Sequence, residues 1–263
     1  MAIRSANLTV MINAAEKAAR QLVRDFGEVE NLQVSRKGPG DFVSIADRRT
    51  EEVLVQELSR ARPGHGFLRE EGDDIAGDGR GRWIIDPLDG TTNFLHGLPH
   101  FCISIALEEH GELVSALIYD PIKGERFVAE RGGGAFLNER RIRVSGRTNL
   151  EDSVIACGIP VLNWPGQDDY YRQAQAVGAR VAGLRRFGAA ALDLAYVAAG
   201  RYEAFWEYRL KPWDVAAGIL IVREAGGTVT ELHGGDPLMD QQTLVAANAY
   251  LHSPLSKLLK ETA

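Results

Sequence analysis

Residues 83–94 read Trp83-Ile84-Ile85-Asp86-Pro87-Leu88-Asp89-Gly90-Thr91-Thr92-Asn93-Phe94 and concentrate more usable chemistry than any other stretch of the chain. Asp86 and Asp89 are two carboxylates three positions apart. Gly90, Thr91 and Thr92 follow at once, small enough to let backbone amides approach a ligand. Carboxylates hold hard cations, and open amides hold the phosphate that such cations neutralise. The same run is also good turn chemistry, with Pro at the second position and Asp or Gly around it. Two other readings fail on single residues. An Asp-x-Asp-Gly-Thr phosphatase loop needs its nucleophile two positions before Asp89, where Pro87 stands. An EF-hand loop needs a second carboxylate where Leu88 stands.

Trp83, Ile84 and Ile85 are apolar and β-favouring, which predicts the end of a buried strand. Pro87 has no N–H to donate and should stop the ladder, leaving Asp86 and Asp89 on a tight turn beyond it. Three further acidic groups fall where an element meets a loop. Asp47 ends a predicted strand at 42–46, Glu70 and Glu71 follow the short run Phe67-Leu68-Arg69, and Asp214 lies at the start of a helix opened by Pro212-Trp213. Each has a plain structural alternative. Asp47 and Asp214 can be helix N-caps, worth about 1 kcal/mol each, and the Glu pair can be solvated surface.

The elements around these residues follow from periodicity. Leu8, Met11, Ile12, Ala15, Ala19, Leu22, Val23 and Phe26 recur at helical spacing and predict an amphipathic helix over 8–26, ended near Gly27. The run 37–41 is a turn, and 49–60 is a second amphipathic helix. Residues 73–82 are a solvated loop. Strands are predicted at 102–108, 112–119 and 126–130, with hairpin turns at 132–134 and 138–139. The triple glycine follows a strand without opening a helix, so it reads as a turn and not as a phosphate cradle. The second half alternates: strand 153–158, helix 168–181, small-residue helix 189–199 closed by Gly200, and strand 201–207. A helix from Pro212 closed by Gly226 and Gly227 comes next, then strands 228–232 and 244–247 and a short terminal helix. A layered α/β architecture results, one domain over 1–263 in two tightly joined halves of about 1–150 and 151–263.

Composition narrows the class. The chain has 263 residues, 45% hydrophobic and 25% charged, which is ordinary for a soluble protein. No run approaches the ~20 apolar residues of a membrane span. The first residues carry several charges and no apolar core of a secretory signal. Cys102 and Cys157 alone suggest reduced thiols in a cytoplasm. A net charge of −6 argues against nucleic-acid binding through a broad basic face. His96 and His100 are four apart, but Pro99 between them breaks helical continuity, so they read as surface or dimer contacts before metal ligands.

Several motifs in register resemble inositol monophosphatase-type phosphatases. Asp86 to Asn93 and Trp213-Asp214-Val215-Ala216-Ala217-Gly218 look like that family's two signatures, and Glu70-Glu71-Gly72 is similar to its preceding acidic motif. The segment 37–47, Arg186 to Ala190 and Leu192 to Tyr196 continue the likeness, which covers essentially the whole chain and is closest to the bacterial branch that includes the SuhB proteins. The resemblance implies an αβαβα sandwich of the inositol monophosphatase/sugar phosphatase type, a homodimer, and Mg2+-dependent, Li+-sensitive hydrolysis of a phosphate monoester. It implies that Glu70, Asp86 and the Leu88 carbonyl hold a first Mg2+ and that Asp86, Asp89 and Asp214 hold a second. Glu70 would keep a weaker third through waters. Thr91 and Asp47 would orient the attacking water, and the Gly90 and Thr91 amides would grip phosphate. Glu207, Ala190, Asp89 and Asp214 would face the sugar or inositol hydroxyls. Inositol-1(or 4)-phosphate is the implied substrate, since Glu207 precedes Asp214 by seven residues as in inositol-recognising relatives. Fructose-1,6-bisphosphate and nucleotide 3′-phosphates share the same metal core, and the SuhB branch admits a regulatory partner of the transcription machinery. Two departures bear on the substrate. Ala189 stands where many relatives carry a hydroxyl, and Lys211-Pro212 replaces a variable segment.

Overall fold

The computed structural model describes residues 5–28, 34–38, 41–159, 164, 166–235, 238 and 243–262. Seven strands lie side by side in chain order: β3 (Gly66–Arg69), β4 (Arg82–Asp89), β5 (Cys102–Glu109), β6 (Glu112–Asp120), β7 (Glu125–Glu130), β8 (Gly134–Leu137) and β9 (Arg140–Ile142). β3 and β4 pair parallel, and each later neighbour is antiparallel. The alternation of side chains along these strands supplies two apolar faces. Trp83 and Ile85 join one core cluster with Ile103, Ile105 and Leu107, whereas Ile84, Cys102 and Ala106 join another.

Each face is covered by helices whose composition matches the number of sides buried. α1 (Ala6–Phe26) and α2 (Ile45–Ala61) pack on each other and on the first face, with polar residues turned outward. α5 (Ala190–Ala198) and α6 (Pro212–Glu224) cover the other face. These two also meet a second sheet, whose strands β11 (Gly183–Arg185), β10 (Val154–Cys157), β12 (Ala204–Tyr208), β14 (Thr243–Ala247) and β13 (Thr228–Glu231) lie in that order. A helix buried between two sheets is apolar all round. Val215, Ala216, Ala217, Ile219, Leu220, Ile221 and Val222 are accordingly all buried. α4 (Gln167–Gly178) and α7 (His252–Glu261) cover the far side of the second sheet. The stacking is the expected αβαβα sandwich.

Three expectations need correction. The strand predicted at 42–46 is β2 (Asp41–Ser44), which pairs with β1 (Val34–Gly38) only as far as Val34↔Ser44. With no partner beyond that pair among the described residues, the chain turns helical at Ile45, so Asp47 lies in the first turn of α2 and not at a strand end. Pro87 does not stop β4, which continues to Asp89 through a register shift. The strand predicted from 201 begins at Ala204, because Arg201 and Tyr202 donate back to the Tyr196 carbonyl as α5 closes. β11 was not foreseen.

Gly218 explains part of one motif by packing alone. A Cβ placed there would lie 2.4 Å from Leu194 Cδ1 and 2.6 Å from Leu194 Cβ, so glycine sets the α5–α6 approach. Gly218→Val should lower unfolding free energy by about 1–3 kcal/mol through overpacking, read from urea denaturation midpoints. An unchanged midpoint would mean that the two helices are not held at this distance.

Candidate active site at the end of strand β4

The centre of the site is a bulge. Asp86 opposes Ser104 and Asp89 opposes Cys102, so β4 carries one more residue than β5 across this interval. Bulges re-aim side chains and bend the strand. Asp86 Oδ1 accepts from the Leu88 amide at 2.9 Å, and the Leu88 carbonyl accepts from the Thr91 hydroxyl at 2.9 Å. Gly90 then adopts φ 95°, and a Cβ there would meet His100 O at 3.0 Å and Phe101 Cα at 3.2 Å. Only glycine suits both the dihedral and the space. α3 (Thr91–Leu95) starts immediately, with the leading amides that a helix cannot satisfy internally. Asn93 ties this loop to the approach of α5, donating to the His100 carbonyl at 2.8 Å and the Phe187 carbonyl at 2.7 Å.

Four acids drawn from distant segments act on one another here. Glu70, just past β3, hydrogen-bonds side chain to side chain with Asp86, which is 2% exposed. Two carboxyl groups brought this close disfavour each other's charged form. Burial first, then the charges of Asp214 and Asp47, push Glu70 up to about 9. Burial followed by Glu70, Asp89 and Asp214 pushes Asp86 up as well. Asp89 rises to about 6, mainly by burial, and the amides at the start of α5 oppose that rise. Its Oδ2 accepts from the Ala191 amide at 2.7 Å, and the Cys102 thiol lies 3.8 Å from the same oxygen. Asp214 is the third residue of α6, and its Oδ2 accepts from the Lys211 amide at 2.6 Å. Lys211 holds the N-cap position, so Asp214 is not the N-cap residue but reaches back to it from the third helical position, and the same carboxylate also acts electrostatically on Glu70, Asp86 and Glu207.

The residues expected to face a polyol form a second group around the end of β12. Glu207 is raised by burial and by Asp193, Asp214 and Asp89, with Arg186 pulling it down. Gly158 makes room for it, since a Cβ there would fall 1.8 Å from the Glu207 carboxyl carbon. Ala190 is buried and begins α5, and its amide and that of Ala191 both serve Asp89. Ala189 occupies the N-cap position of α5 without a side-chain acceptor. Asp89, a hundred residues away in the chain, supplies the oxygen that a Ser or Thr cap would have supplied.

Asp193 was not singled out in the sequence. It is 1% exposed, one turn into α5, raised by burial and by Asp89, and its Oδ1 has no hydrogen-bond partner among the described residues. Its signal was available: one acid inside an apolar run. The two histidines do not form a metal pair. His96 is exposed, while the His100 ring packs 5.0 Å from Phe187 and is pushed down to about 4 by burial and Lys123.

The donor chemistry suits a hard cation. Every strongly interacting side chain of the first group is a carboxylate, and the charges that shift Glu70 and Asp86 most are other carboxylates. Among the described residues no three His, Cys, Asp or Glu side chains are gathered closely enough to enclose an ion as they stand.

Comparison with known proteins agrees with this geometry. The model of the inositol monophosphatase family matches residues 4–262. The chain is 55% identical over 259 residues to an inositol-1-monophosphatase of Mesorhizobium japonicum, covering 98% of this chain and 97% of that one. It is 44% identical over 246 residues to the Nus factor SuhB of Pseudomonas aeruginosa, covering 92% and 91% respectively. The crystal structure of the extragenic suppressor protein suhB from Bartonella henselae superposes with a TM-score of 0.95 at 56% identity, over 98% of this chain and 100% of that one. The chain belongs to the inositol monophosphatase family.

Proposed function

We propose that the protein is a Mg2+-dependent phosphate monoester hydrolase that releases inositol from inositol-1(or 4)-phosphate, with tolerance for other small phosphates. The observation that carries this reading is the set of buried, raised carboxylates at the β4 bulge, directly beside the opening amides of α3. The relative named inositol-1-monophosphatase supports the substrate. Glu70, Asp86 and the Leu88 carbonyl would hold one Mg2+, Asp86, Asp89 and Asp214 a second, and Glu70 a weaker third through waters. When bound, such ions lower the pKa of water and stabilise the departing oxygen.

The protein's own groups then do the orienting. Thr91 Oγ1 spends its proton on the Leu88 carbonyl, so its lone pairs are left to accept from a water aimed at phosphorus. Asp47, 1% exposed in the first turn of α2, would accept from that water on another side. The Gly90 and Thr91 amides would hold the phosphate oxygens. Glu207, Ala190, Asp89 and Asp214 would border the polyol. The same reading carries a homodimer, for which Leu98 and Phe187 offer exposed apolar surface on adjoining loops. It also carries Li+ sensitivity and a cytoplasmic site of action. Among the described residues no helix is long and apolar enough to cross a membrane.

A second reading rests on the relative named Nus factor SuhB: a regulatory partner of the transcription machinery. A pull-down with RNA polymerase and its elongation factors tests it, and no enrichment over a control protein would count against it. The enzymatic reading is tested first by phosphate release from a panel of inositol, fructose and nucleotide phosphates, with and without Mg2+. Asp89→Asn should lose more than the roughly 10–100-fold that removal of an outer-shell partner costs. Retained Mg2+-dependent turnover would end the metal role.

Charge repulsion in the cluster gives a further test. In EDTA the folded chain keeps a proton on Glu70 that the unfolded chain releases near 4.5, so stability falls as pH climbs from there toward about 9. Urea midpoints of Glu70→Gln should therefore gain on wild type across that interval. Parallel profiles would show that the acids do not confront one another.

A further inference from the structure

Glu70 does not stand on a regular element. It follows β3 in the turn Arg69-Glu70-Glu71-Gly72-Asp73, and a side chain on a turn is only as well placed as the backbone beneath it. Two residues outside every role assigned above hold that backbone. Glu51 lies on α2, one helical turn after Asp47 and on the same buried face, 3% exposed. Its Oε2 accepts from the Glu71 amide at 2.9 Å, and its Oε1 lies 3.3 Å from Arg69 Nη1. Arg69 Nε reaches past the turn to the Asp73 carbonyl at 2.5 Å. The guanidinium lies across the turn so closely that a Cβ on Gly72 would come within 2.6 Å of its Cζ. Gly72 is thus the residue that lets Arg69 fold over its own turn.

We propose that Glu51 and Arg69 are positioning residues that clasp this turn and set the affinity of the Glu70 site for divalent cations. The proposal rests on the reading of Glu70 as an ion ligand. The clasp fixes the amide on one side of Glu70 through Glu51 and the carbonyl three residues beyond it through Arg69, and so holds the backbone from which the carboxyl meets Asp86. α2 then delivers two things from one face: Asp47 to the cluster, and Glu51 to the support beneath Glu70. Residues that orient ligands from behind tune the ion affinity of the ligands they hold.

The test uses the full chain and two readouts. Mn2+ binding is measured directly by electron paramagnetic resonance, and phosphate release is measured as a function of Mg2+. Glu51→Gln keeps the shape and an acceptor for the Glu71 amide but loses the charge that faces Arg69. It should weaken Mn2+ binding by roughly 10–100-fold and raise the half-saturating Mg2+ by a similar factor, while turnover at saturating Mg2+ is kept. Arg69→Lys keeps the charge but not the fork that spans Glu51 and Asp73, and should do the same. The double variant should lose little beyond either single one, because one clasp is broken once. Thermal melting in EDTA checks that each variant is folded, and if Glu51→Gln is not, Arg69→Lys decides. Mn2+ affinity equal to wild type in a folded variant overturns the proposal, as does a fall in saturated turnover with unchanged affinity. If wild type itself binds no Mn2+ and releases phosphate equally in EDTA, the reading of Glu70 as an ion ligand falls instead.

Discussion

The structure is governed by one electrostatic difficulty: several carboxyl groups are brought together in a poorly solvated place. Two unit charges 4 Å apart repel by about 4 kcal/mol at the effective dielectric near a protein surface. Glu70, Asp89 and Asp214 each push at least one neighbouring carboxyl toward its protonated form. What offsets this is the arrangement of helices. α2, α3, α5 and α6 all begin at the cluster, with Asp47 in the first turn of α2, Gly90 capping α3, Asp89 against the start of α5 and Asp214 in the first turn of α6. Helix N-termini favour negative charge by roughly 0.3–1 kcal/mol each, and they favour phosphate for the same reason.

This convergence constrains the layers. Two of the four helices, α5 and α6, must start at the site and run between two sheets, so their buried residues are apolar with the single exception of Asp193. Gly218 sets their separation, and Gly158 leaves the space into which the Glu207 carboxyl projects. Glycines in these places are therefore packing requirements of the site, whereas Gly90 answers a backbone requirement. The motif Trp213 to Gly218 contains both kinds of demand within six residues, a carboxylate at its front and a close helix contact at its end.

Much of this was legible in the sequence because strong patterns spoke for it. The amphipathic period of α1, the apolar strand before Asp86 and the acids at element boundaries each have a local signature. The errors arose where a tertiary partner decides. Residues Phe42 to Ile45 favour strand, but β1 offers pairing only to Ser44, so the helix takes Asp47. Proline reads as a stop in one strand seen alone, and becomes a bulge once β5 resumes pairing at Asp89. Glu51 and Asn93 gain their meaning from backbone groups farther along the chain, which no local spacing reveals, whereas Asp193 left a local trace that went unread. An acid buried in an apolar face is the trace such residues leave.

Asp89 shows why the site and the sandwich form together. Its carboxylate sits on the first sheet, yet it caps a helix of the middle layer that has only alanine at its own N-cap. A Ser or Thr at Ala189 would have let α5 terminate by itself. With alanine there, the α5 amides are best satisfied when α5 docks on β4, and docking also brings the 207–214 segment to its place. The oxygen left on Asp89 is then oriented by the same contact that joins the layers. The polar groups of the site therefore act as the fasteners of the fold, and the geometry offered to an ion is inherited from the closure of the core.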